Sequence, residues 1–158
     1  MIRRMNYRNR RGVSLVEAGV TTVALTTLML GMVDMGVGVF RMHVISEAAR
    51  QGARQASVHG AMADPTPPNS GKLGKWGATT VGPVAANSGN TQVAGMLPYL
   101  NGVDLSTTQI TFQWPDGNSN VESRVEVTVT ATWTPILTSL FGASAYTLSA
   151  SSTMPIAH

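Results

Sequence analysis

The chain contains no cysteine. Disulfides, thiol nucleophiles and cysteine–metal sites are thereby excluded. Charge is scarce: Asp, Glu, Lys and Arg make up 12% of the residues, against about 25% in an ordinary globular protein. That is not the composition of a soluble cytosolic enzyme. No acid–base constellation is present either. His43, His59 and His158 have no metal-ligand spacing, and Ser57-x-His59 with a distant Asp64 is not a credible nucleophile system. The sequence therefore predicts neither an enzyme nor a cofactor. What is abundant is apolar and small: 43% hydrophobic residues and 16 glycines in 158 residues, enough chain for one compact domain.

The net charge of +3 is unevenly placed. Five of the eleven basic residues are Arg3, Arg4, Arg8, Arg10 and Arg11, so beyond residue 12 six basic residues face eight acids, a balance of −2. A nucleic-acid partner would have to rest on that short tail alone, and none is expected. Arginines directly before an apolar span instead hold that end of the chain in the cytoplasm.

The span runs from Val13 to Phe40, with an uncharged centre from Ala18 to Val33. With its flanks past Glu17 and Asp34 it exceeds the roughly 20 residues that cross a bilayer. Thr21, Thr22, Thr26 and Thr27 dilute it, but threonine hydroxyls can bond back to helix carbonyls. The apolar core is longer than the 7–15 residues typical of a cleaved secretory signal and no small-x-small site closes it, so the span is expected to be retained. Beyond it, residues 41–58 contain no proline and continue as helix outside the membrane. Ala48, Gly52 and Ala56 form a stripe at i, i+4 spacing, flanked by Ile45, Ala49 and Ala53, and Glu47 can pair with Arg50. One helix from Ser14 to Val58 would be about 67 Å long at 1.5 Å per residue. Ser14-x-x-Glu17 also fits a capping box at its start.

Residues 59–106 read as a Gly/Pro-rich loop with a turn near Trp76 and a short helix in 91–100 whose apolar face is Val93, Met96, Leu97 and Leu100. From 107 to 158 the period becomes two. Ile110, Phe112 and Trp114 alternate with polar residues; "PDGN" at 115–118 is a turn; Val121, Val125, Val127, Val129, Ala131 and Trp133 line one face of a second strand. "TPILTSLFGAS" is an unusually apolar connection. The last strand, about 145–155, sets Tyr146, Leu148, Ala150 and Met154 against serines and threonines. The fold class predicted is α+β: a long N-terminal helix, half transmembrane (13–40) and half extracytoplasmic (41–58), packed through Ala48, Gly52 and Ala56 on a three-stranded antiparallel sheet. Trp76, Trp114 and Trp133 read as core or interface anchors.

Three features together resemble the TadE-like family of type IV pilin-like proteins from tight-adherence (Tad, Flp-type) pilus systems. The first is a basic leader, residues 1–12, ending in Gly12, with Glu17 fifth from Val13. The second is "LMLGMVDMG" followed by "SEAARQGARQA". The third is the tail, a Val/Thr strand, "WTPILTSLFG" and a final Ser/Thr/Ala-rich strand. The chain departs from the family pattern at Asp34, usually glutamate, at Met35, where an aromatic is expected, and at Val37, often arginine. The resemblance implies a minor pilin or pseudopilin, cut between Gly12 and Val13 by a membrane-embedded prepilin peptidase. It implies placement in a bacterial inner membrane with the C-terminal domain outside, and partnership with other pilin subunits and the pilus assembly machinery. Glu17, and Asp34 at the outer membrane edge, are then the candidates for subunit contacts. Cutting removes the charges that anchor the cytoplasmic end and frees an amine at Val13. A lone carboxylate in lipid is costly, and the amine of an adjacent subunit offsets that cost, so Glu17 would report axial register. The other reading is a membrane-anchored extracytoplasmic binding domain whose signal anchor is never cut.

Overall fold

The computed structural model describes residues 10–63, 74–140, 142 and 144–157. Helix α1, Arg10–Ser57, is 48 residues long, about 72 Å at 1.5 Å per residue. It ends in a tightened turn, with the Val58 and His59 amides donating to the carbonyls of Gln55 and Ala56, before Gly60. Its start differs from the expectation. The helix is already formed at Arg10, so Ser14 and Glu17 lie inside it and not at a cap. No proline interrupts 10–14, and one glycine lowers helix stability by only about 1 kcal/mol. Arg3, Arg4 and Arg8 lie outside the described residues, as do Asp64 and His158.

Among the described residues four strands follow, and not three: β1 Val81–Ala85, β2 Thr108–Gln113, β3 Arg124–Trp133 and β4 Tyr146–Pro155. They form an antiparallel meander in sequence order. Strand β1 lies in the segment expected to be loop. "VGPVA" has weak strand propensity, yet an edge strand needs a ladder on one side only, and its register shift between Val81 and Val84 accommodates Pro83. Gly82 sits at φ +115°, where a Cβ would lie 2.5 Å from the Ile110 carbonyl oxygen, so this bulge requires glycine.

The period-two pattern of β3 is realised as burial. Val125, Val127, Val129 and Ala131 are buried, while Glu126, Thr128 and Thr130 take the other face. The strand starts later than its sequence pattern. Asn118 accepts from the Asn120 amide and the Ser123 hydroxyl, and Glu122 takes φ +71°. That turn leaves Val121 exposed rather than on the buried face. The PDGN turn is held by Asp116, which accepts from the Arg124 amide at 2.7 Å and pairs with its guanidinium at 2.8 Å. The arginine holds the Asp116 carboxyl below the usual carboxylate range, by its side-chain hydrogen bond first and its backbone amide second.

Between β1 and β2 lies helix α2, Thr91–Ala94, capped by Asn90, whose Oδ1 accepts from the Gln92 amide at 2.9 Å. A 3-10 turn, Leu97–Tyr99, follows. Val93, Met96 and Leu100 are buried, but Leu97 is not. Pro98 tightens the turn, and three residues per turn carry Leu97 off the apolar face. The "TPILTSLFGAS" connection contains a third short helix, α3, Ile136–Leu140.

The core lies between the outer half of α1 and one face of the sheet. Ile45, Ala48, Ala49, Ala53 and Ala56 pack with Ile110, Phe112, Val125, Val127, Val129 and Ile156. Gly52 is a point of close approach: a Cβ there would lie 2.7 Å from Met96 Sδ and 3.0 Å from Val127 Cγ1. The far end of α1 is fixed by backbone bonds, with the Ala157 amide donating to Ser57 and the Trp76 amide to His59. His59 is buried and stacks on Trp76 at 4.3 Å, and Trp76 meets Phe112 edge-on at 5.6 Å.

Candidate functional site: the apolar arm of the helix and its junction with the sheet

The two halves of α1 have opposite environments. From Gly12 to Met29 every residue is exposed. The large side chains stand free of the domain: Val13 is 68% exposed, Leu15 75% and Met29 67%. From Ile45 to Ser57 the helix buries a continuous small-residue face. Water does not leave such an apolar arm bare, and α1 is long and apolar enough to cross a membrane. Its polar groups suit that use. The hydroxyls of Thr21, Thr22 and Thr26 each donate to the carbonyl four residues back at 2.8 Å, and Thr27 does so at 2.9 Å. No threonine there presents an unpaired donor.

Glu17 is the one acid in this arm before Asp34. It is exposed on the helix surface and lines a shallow apolar hollow with Gly12, Val13 and Val16. The peptide bond between Gly12 and Val13 is helical, with open space around Gly12. The structure therefore brings Gly12, Val13 and Glu17 together at the tip of the arm, far along α1 from the packing face of Ala48, Gly52 and Ala56.

Asp34 has partners within its own chain. It is 7% exposed, and both carboxylate oxygens are engaged within the chain. Oδ1 accepts from the Ile136 amide at 3.0 Å, and Oδ2 accepts from the Leu137 amide at 2.6 Å. Those are the first two amides of α3, donors that a helix start leaves without partners. A carboxylate is favoured there by charge and by the helix dipole. Asp34 thus clamps α1 to the β3–β4 connection. The sequence carried a partial signal in Pro135, a residue common at helix starts, but nothing local named its partner about a hundred residues earlier.

Around this clamp α1 approaches the sheet closely. A Cβ on Gly38 would lie 2.8 Å from Trp133, and one on Gly31 would lie 3.6 Å from Leu137. Arg41 sets its guanidinium carbon 5.8 Å from the Trp133 ring centroid. Its Nε is buried with no partner among the described residues. An apolar concavity beside the clamp is lined by Met35, Trp133, Pro135, Leu137, Tyr146 and Leu148.

Among the described residues no group of three His, Asp or Glu side chains could hold a metal ion. Among the described residues the ion pairs are local: Glu47–Arg50 at 3.8 Å on the helix surface and Asp116–Arg124 in the turn. Asp104 is held below its ordinary value by the Ser106 hydroxyl and amide. These are structural devices at the protein surface. Of the tryptophans, Trp114 and Trp76 belong to the core or pack against it, and Trp133 stands at the helix–sheet junction.

No curated protein and no solved structure matches the chain. Residues 12–54, nearly the whole of α1, match the model of the TadE-like protein family, and over that helix the chain is similar to it.

Proposed function

We propose that the protein is a minor pilin or pseudopilin of a Tad/Flp-type pilus assembly and secretion system, serving in pilus assembly and surface adherence. The observation that carries this reading is the two-faced helix: an exposed apolar arm with one acid near its tip, continuous with a small-residue face locked to a sheet. An arm of that kind has two apolar environments open to it, the bilayer before assembly and the arms of other subunits afterwards. The TadE-like match covers that same helix.

In this reading α1 crosses the inner membrane with the arginine-rich leader in the cytoplasm and the sheet domain outside. A prepilin peptidase cuts between Gly12 and Val13. Proteolysis needs an extended backbone, and the bond lies in the first turns of α1, where few hydrogen bonds resist unwinding. Gly12 lowers the resistance further, since glycine in a helix costs about 1 kcal/mol relative to alanine. The new amine at Val13 is then one helical turn from Glu17 of its own chain. Packing against a neighbouring subunit at an axial offset brings the Glu17 carboxylate of one copy to the Val13 amine of the next, and an apolar surrounding makes that pairing selective for register. No catalytic role and no nucleic-acid partner enters this account.

The test is the intact mass of the protein extracted from membranes with an active prepilin peptidase. A chain beginning at Val13 supports the reading. A chain that keeps its leader overturns it and leaves an uncleaved anchor carrying an exported binding domain. Gly12→Glu is expected to block the cut and leave membrane insertion intact.

A further inference from the structure

We propose that α3 and its flanks, residues 133–140 and 144–148, form a second membrane contact, lying in the leaflet boundary on the domain side of the bilayer beside α1. This rests on the reading of α1 as a membrane span. Four observations point to a lipid surface as the occupant of the apolar face around α3.

The first is position. Leu137 lies against Gly31, inside the apolar arm and one turn before Asp34. Between Ala18 and Phe40 the only charged side chain is Asp34, and it is buried against the amides of α3. With that acid withdrawn, the next charge is Arg41, and the uncharged surface from Ala18 to Phe40 is about 34 Å long, close to the roughly 30 Å hydrocarbon core of a bilayer. Helix α3 therefore sits at the depth of the outer part of that span.

The second is charge. No Asp, Glu, Lys or Arg follows Glu126 in the chain, so the whole β3–β4 connection offers lipid no ion. The third is exposure. Ile136 is 61% exposed, Met35 74% and Tyr146 51%, and they surround the same junction. Tyr146 and Trp133 have the amphipathic character enriched at membrane–water boundaries. The fourth is polar satisfaction. Backbone entering a lipid boundary must find its hydrogen bonds internally. Asp34 takes the first two amides of α3, the Thr138 hydroxyl donates to the Pro135 carbonyl at 3.2 Å, and the Ser139 hydroxyl donates to the Ile136 carbonyl at 2.7 Å. The threonines of the arm use the same device.

The protein would thus hold the bilayer with a helix and a wedge, and its domain would be fixed in height and tilt rather than swinging on a single anchor. The absence of cysteine permits a clean test. Single-cysteine variants of the full chain, Leu25→Cys, Ile136→Cys, Tyr146→Cys and Asn120→Cys, are labelled with an environment-sensitive fluorophore in phosphatidylethanolamine/phosphatidylglycerol vesicles carrying brominated lipid. Asn120 is exposed in the turn at the opposite end of the sheet. At high lipid-to-protein ratio, labels at 25, 136 and 146 are expected to shift to the blue and be quenched, those at 136 and 146 more by shallow than by deep bromines, and the label at 120 to do neither. If 25 is quenched while 136 and 146 behave like 120, the wedge is wrong and the span stands. If 25 is not quenched, the span itself fails. Shielding of 136 that disappears on dilution with lipid assigns this face to a second copy of the chain and overturns the proposal.

Discussion

Asp34 Oδ2 lies 2.6 Å from the backbone nitrogen of Leu137. This bond closes the longest sequence separation among the side-chain hydrogen bonds described, and it fixes the β3–β4 connection to the helix where the arm emerges. Asp34→Ala leaves two amides of α3 without an acceptor, which costs about 1–3 kcal/mol when such groups are buried. Faster hydrogen exchange is expected at Ile136 and Leu137, with a lower unfolding temperature of the domain. Asp34→Asn keeps one acceptor oxygen and should fall between. Unchanged exchange in Asp34→Ala would show that the clamp does not hold α3.

Two glycines of α1 should respond in opposite directions. Gly36 has open space around it and Gly52 has none. Gly36→Ala is expected to stabilise by up to about 1 kcal/mol, the helix-propensity difference. Gly52→Leu forces a large side chain against Met96 and Val127 and should destabilise by about 1–3 kcal/mol. Thermal unfolding of the two variants beside wild type checks both signs. Equal behaviour would remove the packing face of Ala48, Gly52 and Ala56.

Acid should loosen the β2–β3 turn. The Asp116 carboxyl is depressed below its ordinary 3.8. A carboxyl depressed in the folded state contributes stability that is complete above its unfolded value and is lost as pH falls through its folded value. The stability difference between wild type and Asp116→Asn is therefore expected to be constant at neutral pH and to shrink below about pH 4. The pair is exposed, so the difference should be small and reduced by salt. Urea titrations at several pH values read it; a difference that grows towards acid would have the wrong sign.

The parts of this fold legible in the sequence are those with strong periodicity. The period-two runs gave β2, β3 and β4 because one face of each must be apolar, and the small residues at i, i+4 marked where α1 packs because nothing larger fits beside Met96. What escaped has no local signature. Strand β1 owes its existence to a free edge of β2 and to a bulge built on Gly82, so its five residues carry no alternation. Helical spacing points Leu97 inward, and Pro98 breaks that spacing. The clamp at Asp34 depends on a contact between segments far apart in sequence, and one sequence contains no trace of that distance. The apolar character of the arm was legible from its composition, but its first turn was not, because the Ser14-x-x-Glu17 pattern marks a later start than Arg10.

The central claim is that Glu17 pairs with the amine of a neighbouring subunit, and one comparison tests it most directly. Leader cleavage and crosslinking to other pilin subunits are measured together for wild type, Glu17→Gln and Glu17→Ala. Glutamine keeps the size and hydrogen-bonding capacity of the side chain but removes its charge, leaving the partner amine uncompensated in an apolar setting. The account predicts that both variants are inserted and cut as wild type and that both lose crosslinking. Crosslinking that survives in Glu17→Gln and fails only in Glu17→Ala would contradict it, because the side chain would then serve by shape and hydrogen bonding and not by charge.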